Sequence, residues 1–517
     1  MEFISILNDV LGPVMRGPSS SHTAGSYHIG RLLRSLLGGE PSRASFTFDP
    51  NGSYAATFRQ QGVDLALVAG LLGWPITDRR FARALEDAAV RGLRPKFLVA
   101  PLRGADHPNI VTVELAAKNG RSLRASARSI GGGMVLVTEI DGRPVRLDGK
   151  SHVVLVLADE SAAGEVDRIV RADGRALGEP AIRRWPGEAL LSFKRSLPLG
   201  PKALAAVEHL REVRSIWTAP PLFFMQKGEP LFESAAGMVL EARRRRVSLG
   251  RIALAYESGL LGLAEDDILE EIGRRYGVMR DSVRQGLAGR GLGLKLLRPA
   301  AGRIFRAEAA RKLPSGGFAT RAAARAMAAL HVSNSGGIVC AAPTGGSAGV
   351  LPGVMVTLSE EKGLDREGAA LSLLAAGAVG LIVARRATFA AEVAGCQVEI
   401  GVAGAMASAA VVDAAGGTAA QAADAAAVSL QNTMGSVCDL VQGLCEIPCH
   451  TRNAVAASSA FVCADLVLGG YRNPVPLDDT IDASFSSGRM LPPELRCTAK
   501  GGLAVTPSAL ALKRKAS

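Results

Sequence analysis

The spacing of apolar positions changes character twice along the chain. Residues 43–48 (RASFTF) and 110–115 (IVTVEL) alternate apolar and polar side chains, the period of strands with one buried face. Residues 63–72 (VDLALVAGLL) repeat at helical spacing, and residues 130–137 read as a glycine turn entering a strand. A mixed α/β domain over 1–150 follows. Between 151 and 218 the pattern predicts strands at 153–157 and 189–193, with helices near 162–172 and 201–210. That order suggests a small βαββαβ unit of ferredoxin-like type. Thr218-Ala219-Pro220-Pro221 then reads as a linker.

From residue 222 the strand period disappears. Segments 231–245, 264–287, 320–332, 366–384 and 418–433 carry helical periodicity and are separated by Gly- and Ser-rich turns. The predicted fold class is α+β: a mixed α/β domain over 1–150, a small module over 151–218 and an all-α domain over 219–517. The longest apolar stretch, 368–384, is rich in Ala and Gly and ends at Arg385-Arg386, which favours a buried core helix over a membrane span. The opening Met1-Glu2-Phe3-Ile4-Ser5 has no basic segment leading into a long apolar run, so no secretory signal is expected. The expected location is cytoplasmic, with no membrane partner.

Composition refines this outline. Aromatics are 4% of 517 residues and Gly contributes 59, so the core is built from small aliphatic side chains with close backbone approaches. The net charge of +12 suits an acidic partner without naming one. Its basic residues are scattered, and the run 243–246 (RRRR) has no interleaved aromatics, so a solvated helix face outweighs a phosphate patch. No nucleic-acid partner is expected. Seven cysteines are too few for a disulfide scaffold in a chain of this length. In a reducing compartment, clustered cysteines point to metal binding or catalysis.

Three motifs carry chemistry. In Gly17-Pro18-Ser19-Ser20-Ser21-His22-Thr23-Ala24-Gly25, hydroxyls and an imidazole sit before a helix expected over 25–37. Such a helix start favours carboxylates, and His22 is suited to orienting or transferring protons; an elaborate N-cap is the competing reading. Cys396, Cys438 and Cys449 each stand at an element boundary marked by Gly, Ser or Pro. Their wide separations differ from compact zinc spacing, and thiolates from separate loops can hold an iron–sulfur cluster with one iron open as a Lewis acid. Three buried, inert cysteines are the alternative, against which stand the polar neighbours Asp439, His450, Arg452 and Asn453. Cys340, Cys445, Cys463 and Cys497 are expected to be structural. The glycine turn 342–349 (APTGGSAG) lacks a P-loop lysine, and it suits either anion binding or close packing.

Together these motifs resemble the iron–sulfur-dependent L-serine dehydratases, over nearly the whole chain. Residues 17–25 look like the signature of that family's small-subunit domain. The surroundings of Cys396, Cys438 and Cys449 look like its three cluster-ligand motifs, and Gly345–Gly349 and Gly501-Gly502-Leu503-Ala504-Val505-Thr506-Pro507 match further segments. The resemblance is to the branch with separate β and α subunits, here fused in β-then-α order, with an ACT-like module between them. It implies a [4Fe–4S] cluster on Cys396, Cys438 and Cys449, and elimination of water from L-serine without pyridoxal phosphate. It implies substrate contacts from Ser19, Ser20, Ser21, His22 and Thr23, and a general base at His107 in Asp106-His107-Pro108-Asn109. A loop histidine bonded to backbone is the plainer reading of His107. Asp439 and Asn453 would support the ligands. A small amino-acid substrate and a homo-oligomer complete the expectation.

The sequence also departs from the family. Where the family has Gly-His-Gly-Thr-Asp, this chain reads Gln60-Gln61-Gly62-Val63-Asp64. Gln61 cannot act as acid or base, which opens the alternative of a different β-hydroxy or β-substituted amino acid as substrate. Asp159-Glu160-Ser161-Ala162-Ala163-Gly164 is a degraded version of the ACT-like glycine pattern. The family's Arg-Glu-Thr becomes Arg496-Cys497-Thr498, and the C-terminal cysteine that plugs the cluster in some members is replaced by Lys513-Arg514-Lys515-Ala516-Ser517. Cys497 is the candidate substitute for that plug. A non-catalytic cluster-based sensor is the remaining alternative, against which stand the Ser19–Thr23 segment and His107.

Overall fold

The computed structural model describes residues 3–514; the two residues before them and Lys515-Ala516-Ser517 lie outside the described residues. The first half is a six-stranded sheet in the order Arg94–Val99, Pro41–Phe48, Ile110–Ala117, Ser122–Gly131, Met134–Ile140, Arg143–Leu147. Only the pairing of Arg94–Val99 with Pro41–Phe48 is parallel. The alternating segments at 43–48 and 110–115 pair antiparallel with each other, and Phe46, Phe48, Val111 and Val113 point into the core. Helices Gly25–Leu37 and Val63–Leu71 add Ile29, Leu33, Leu36, Leu67 and Val68 to the same core. Glycines 131–133 all adopt positive φ and close a hairpin, so Ile130 ends one strand instead of entering the next.

The next unit runs His152–Ala158, Ala163–Ala172, Ala181–Trp185, Glu188–Arg195, Pro201–Glu208, Val213–Ala219, which is strand, helix, strand, strand, helix, strand. Its four-stranded sheet has the last strand beside the first and is antiparallel throughout. Alternation decides its packing. Val154 and Val156 face its own helices, whereas Val153, Leu155, Leu157 and Trp217 join the core of the first half. The module is therefore fastened to the first half through one sheet face.

The remainder is largely helical. The expected segments correspond to helices Ala235–Arg245, Glu265–Ala288, Phe318–Asn334, Arg366–Arg386 and Ala419–Gln431. Helices Leu249–Leu261, Ile400–Ala414, Cys449–Leu468 and Leu477–Arg489 were not legible in the periodicity. Arg366–Arg386 is long and apolar enough to cross a membrane, but most of its apolar window is buried in the helical core. The run 243–246 sits exposed at a helix C-terminus, where Arg244 and Arg245 pair with Glu241.

One feature crosses the expected domain limits. Ile6, Leu7, Val10 and Leu11 belong to the helical core, not to the sheet that follows them. Buried Glu257 accepts the N–H groups of Ile6 and Leu7 and so caps the turn Ile6–Val10 from the helical side. Strand Val14–Arg16 then pairs antiparallel with Ile338–Cys340, a ribbon shared by the two halves. This ribbon fixes the position of the serine-rich segment that comes next.

Candidate functional site

The serine-rich segment forms a single wide helical turn, Ser20–Ala24, leading into Gly25–Leu37. Ser19 is extended and caps it, its hydroxyl accepting the His22 N–H at 3.2 Å. Gly345 is the reason the helical half can lie against this turn. A Cβ there would stand 2.7 Å from the Ser20 nitrogen. The glycines of the 342–349 turn thus serve close packing.

His22 is fully buried, and its protons can be placed from its partners. Ser53 donates its hydroxyl to the Cys497 carbonyl at 3.1 Å, so the Ser53 oxygen accepts from His22 Nε2–H at 3.0 Å. Nδ1 is then the acceptor, facing the hydroxyls of Ser21 at 3.0 Å and Ser19 at 3.3 Å. Burial pushes His22 down to about 3, so the ring is neutral at physiological pH. Thr23 donates to the Gln61 carbonyl at 2.8 Å, while the buried Ser20 hydroxyl has no partner among the described residues.

Opposite this turn lies a nest of thiols. Cys396 opens a short turn before Ile400–Ala414, and Cys449 is the first residue of Cys449–Leu468. Cys438 lies alongside the segment 495–497: its N–H donates to the Leu495 carbonyl at 2.8 Å, and its carbonyl accepts the Cys497 N–H at 2.9 Å. The ligand atoms of Cys396, Glu399 and Cys438 lie within 4.8 Å of one another. The Cys396 and Cys497 thiols, together with burial, push the Cys438 thiol well up. Cys445 and burial do the same for Cys449, which also lies in the field of Cys396. Arg452 reaches Cys396 Sγ at 3.7 Å and Asp439 at 3.0 Å. Burial works against its charge, but Cys396, Asp439, Cys449 and Cys438 outweigh it.

The structure thus brings Cys445 and Cys497 into the nest, where the sequence suggested a structural role for Cys445 and, for Cys497, either a structural role or that of a substitute plug. Their link is Gln61. Its buried amide nitrogen lies 3.9 Å from Cys497 Sγ and its oxygen 4.0 Å from Cys445 Sγ. Cys340 lies by the Leu11 carbonyl, and Cys463 lies about four turns along Cys449–Leu468. The polar neighbours of these cysteines have mechanical roles. Asn453 clamps the 342–349 turn through Gly346 and Gly349, and Asp439 accepts the Leu503 N–H at 2.9 Å. His450 turns away to His331, the two Nδ1 atoms 3.1 Å apart.

His107 lines a cleft of about 270 Å³ between the halves, with Asp49, Ser53, Glu392, Arg496 and Thr498. Its Nδ1 accepts the Asn109 N–H at 3.1 Å. Burial, with Arg128 adding to it and Asp106 opposing it, pushes the ring down to about 4. Asn109 donates its side-chain amide to Glu392, whose carboxyl burial pushes up against the donors Ser21 and Asn109. Glu399 is pushed up to about 7 by burial, against the Thr344 hydroxyl donating at 2.6 Å. Sequence reasoning missed both carboxylates; the signal was two lone acids in the Ala- and Gly-rich run around Cys396.

Comparison with known proteins fits this arrangement. Residues 156–504 match the family model described as serine dehydratase alpha chain. A probable L-serine dehydratase alpha chain of Bacillus subtilis (strain 168) is 36% identical over 285 residues, covering 55% of this chain and 95% of the relative. The probable beta chain of the same organism is 39% identical over 160 residues, covering 31% of this chain and 70% of the relative. The L-serine dehydratase TdcG of Escherichia coli (strain K12) is 26% identical over 504 residues, covering 95% of this chain and 96% of the relative.

Proposed function

The chain belongs to the serine dehydratase family, with alpha-like and beta-like regions in one polypeptide, and on that premise we propose that it eliminates water from L-serine to give pyruvate and ammonia. The observation that carries this reading is the meeting of a buried Ser/His turn from one half with a nest of buried thiols from the other, joined through Ser53 and Gln61. Loss of the α-proton and the β-hydroxyl leaves an enamine, which tautomerises and hydrolyses.

The donor set fits a [4Fe–4S] cluster. The ligands are soft, buried and drawn from separate loops, and the Arg452 guanidinium stands beside them to offset thiolate charge. Cys396, Cys438 and Cys449 would hold it, and when bound it supplies Lewis acidity at the substrate oxygen. The remaining chemistry falls to side chains. Ser19, Ser20 and Ser21 offer hydroxyls to the substrate carboxylate, Ser20 having no partner among the described residues. His22 stays neutral and holds that turn against Ser53, while Thr23 holds it against Gln61. Proton removal belongs to the cleft that His107 lines together with Glu392.

Anaerobic reconstitution with iron and sulfide tests the reading. Roughly four irons per chain, an absorbance spectrum that responds to L-serine, and pyruvate formation are expected. Protein that takes up no iron removes the cluster; loaded protein that makes no pyruvate from L-serine removes the substrate.

Gln61 supports a second reading, in which the same elimination acts on another β-hydroxy amino acid. An amide bonded toward two thiols occupies the place where the family carries an imidazole. Turnover of L-threonine exceeding that of L-serine would favour it.

A further inference from the structure

We propose that the Glu392 carboxylate, not the His107 imidazole, takes the α-proton of the substrate, and that His107 presents Nε2–H as a hydrogen-bond donor in the same cleft. The inference rests on the elimination reading above and assigns the proton step within it.

The argument begins with His107. Its Nδ1 lone pair already accepts the backbone N–H of Asn109, so the neutral ring carries its proton on Nε2. Such a ring donates into the cleft. To accept a proton at Nδ1 it must first give up a hydrogen bond to buried backbone, which is a poor arrangement for a base.

Glu392 has the opposite character. Its carboxyl is buried, yet it lines the same cleft as His107, Ser53 and Arg496. Asn109 donates to one of its oxygens and Ser21 lies against it, so the group is oriented by neutral donors. No ion pair involves Glu392 among the described residues, so no cation holds its charge in place. A desolvated carboxylate held by amide and hydroxyl is a stronger base than one in water, and burial raises this one accordingly.

Asn109 couples the two groups. Its main-chain N–H sets the His107 tautomer and its side chain orients Glu392, while its carbonyl is tied to the Ser129 N–H at 3.2 Å. One buried residue therefore fixes the donor and the base together. Ser21 makes the third connection, because it touches both Glu392 and His22 Nδ1. The Ser21 proton can go to only one of them, and Ser19 is placed to satisfy His22 when Ser21 turns to Glu392.

The step balances without a further reactant. Glu392 takes the Cα proton and leaves its electron pair on Cα, a step that reverses with solvent-derived deuterium on Glu392; the pair then becomes the Cα=Cβ bond as the Cβ–O pair leaves with the hydroxyl. The proton held on Glu392 then passes to the departing hydroxide as water, which restores the carboxylate.

The test is α-proton exchange of L-serine and L-threonine in deuterium oxide, followed by NMR alongside pyruvate and 2-oxobutyrate formation and iron content. Glu392→Gln should load iron as wild type and keep the substrate-induced absorbance change, yet lose exchange and turnover about a thousandfold. His107→Asn should keep exchange within about tenfold of wild type. Glu392→Asp covers a folding failure of the first variant, since it keeps the charge, shortens the reach and should lose exchange while retaining iron. Exchange surviving in both Glu392 variants, or lost in His107→Asn alone, overturns the assignment. A wild type that exchanges L-threonine but not L-serine overturns the choice of substrate and leaves the assignment to be scored on L-threonine. A loaded wild type that exchanges neither overturns both readings.

Discussion

The Ser53 hydroxyl donates to the carbonyl of Cys497 at 3.1 Å, across the seam between the two halves. One oxygen thereby ties the His22 ring to the segment that carries a thiol into the nest. Ser53→Ala leaves the His22 Nε2–H and the Cys497 carbonyl without their buried partner. Leaving such groups unsatisfied costs about 1–3 kcal/mol. A lower denaturation midpoint with loss of kcat/KM is expected; an unchanged midpoint and rate would show that the link is idle.

On the proposed reading the thiols divide into ligands and neighbours. Alanine at Cys396, Cys438 or Cys449 should abolish iron uptake, as measured by iron and sulfide content after reconstitution, with the far-ultraviolet circular dichroism retained. Alanine at Cys445 or Cys497 should leave the iron content near wild type. Iron lost in Cys497→Ala but retained in Cys449→Ala would reassign the ligand set.

Buried neutral histidines make stability depend on pH. Burial pushes His22 and His450 down to about 3, and His28, His107 and His331 down to about 4. The unfolded chain binds protons at these rings from about pH 6.5 downward, whereas the folded chain does not until about 4 or 3. Their contribution is therefore complete above pH 6.5 and is lost progressively as pH falls below it. Each ring contributes a slope of up to about 1.4 kcal/mol per pH unit. Urea midpoints measured at pH 7, 6 and 5 should fall steadily; a flat series contradicts neutral burial.

Gly345 sets the distance between the halves. A methyl group there meets the Ser20 nitrogen at 2.7 Å and the Ser19 carbonyl carbon at 3.0 Å, which are backbone atoms that yield little. Gly345→Ala should cost about 1–3 kcal/mol and reduce activity more than iron content. Activity equal to wild type would show that the serine turn tolerates displacement.

Much of this site was legible because chemistry and element boundaries coincide in the sequence. Cys396, Cys438 and Cys449 stand beside Gly, Ser and Pro, and residues 17–25 precede a helix whose limits the sequence predicts. Cys445 was not legible, and Cys497 was legible only as a substitute for the plug of related chains. Their place depends on the pairing of 438 with 496, a contact between irregular segments that leaves no periodic trace. Glu392 was hidden for a related reason, since a lone acid in an Ala-rich run gains meaning only once Asn109 is seen to face it. Helices Ile400–Ala414 and Cys449–Leu468 escaped because each is apolar on nearly every face, and neither has a side-chain N-cap. The few apolar residues at 6–11 were too short a pattern to assign to the helical core instead of the sheet that follows them.

The Val14–Arg16 ribbon has a mechanical consequence. The polypeptide leaves the helical half after residue 16 and returns to it past the Pro220-Pro221 linker, so the sheet domain and its module form a loop anchored at both ends. Rotation about a single linker, the simplest way for two lobes to part, is blocked by the second anchor. Solvent then reaches the seam through the cleft whose rim Arg496 and Thr498 form. A cut at the linker alone would leave the two pieces strand-paired through Val14–Arg16 and Ile338–Cys340, in the register that keeps Ser53 opposite Cys497.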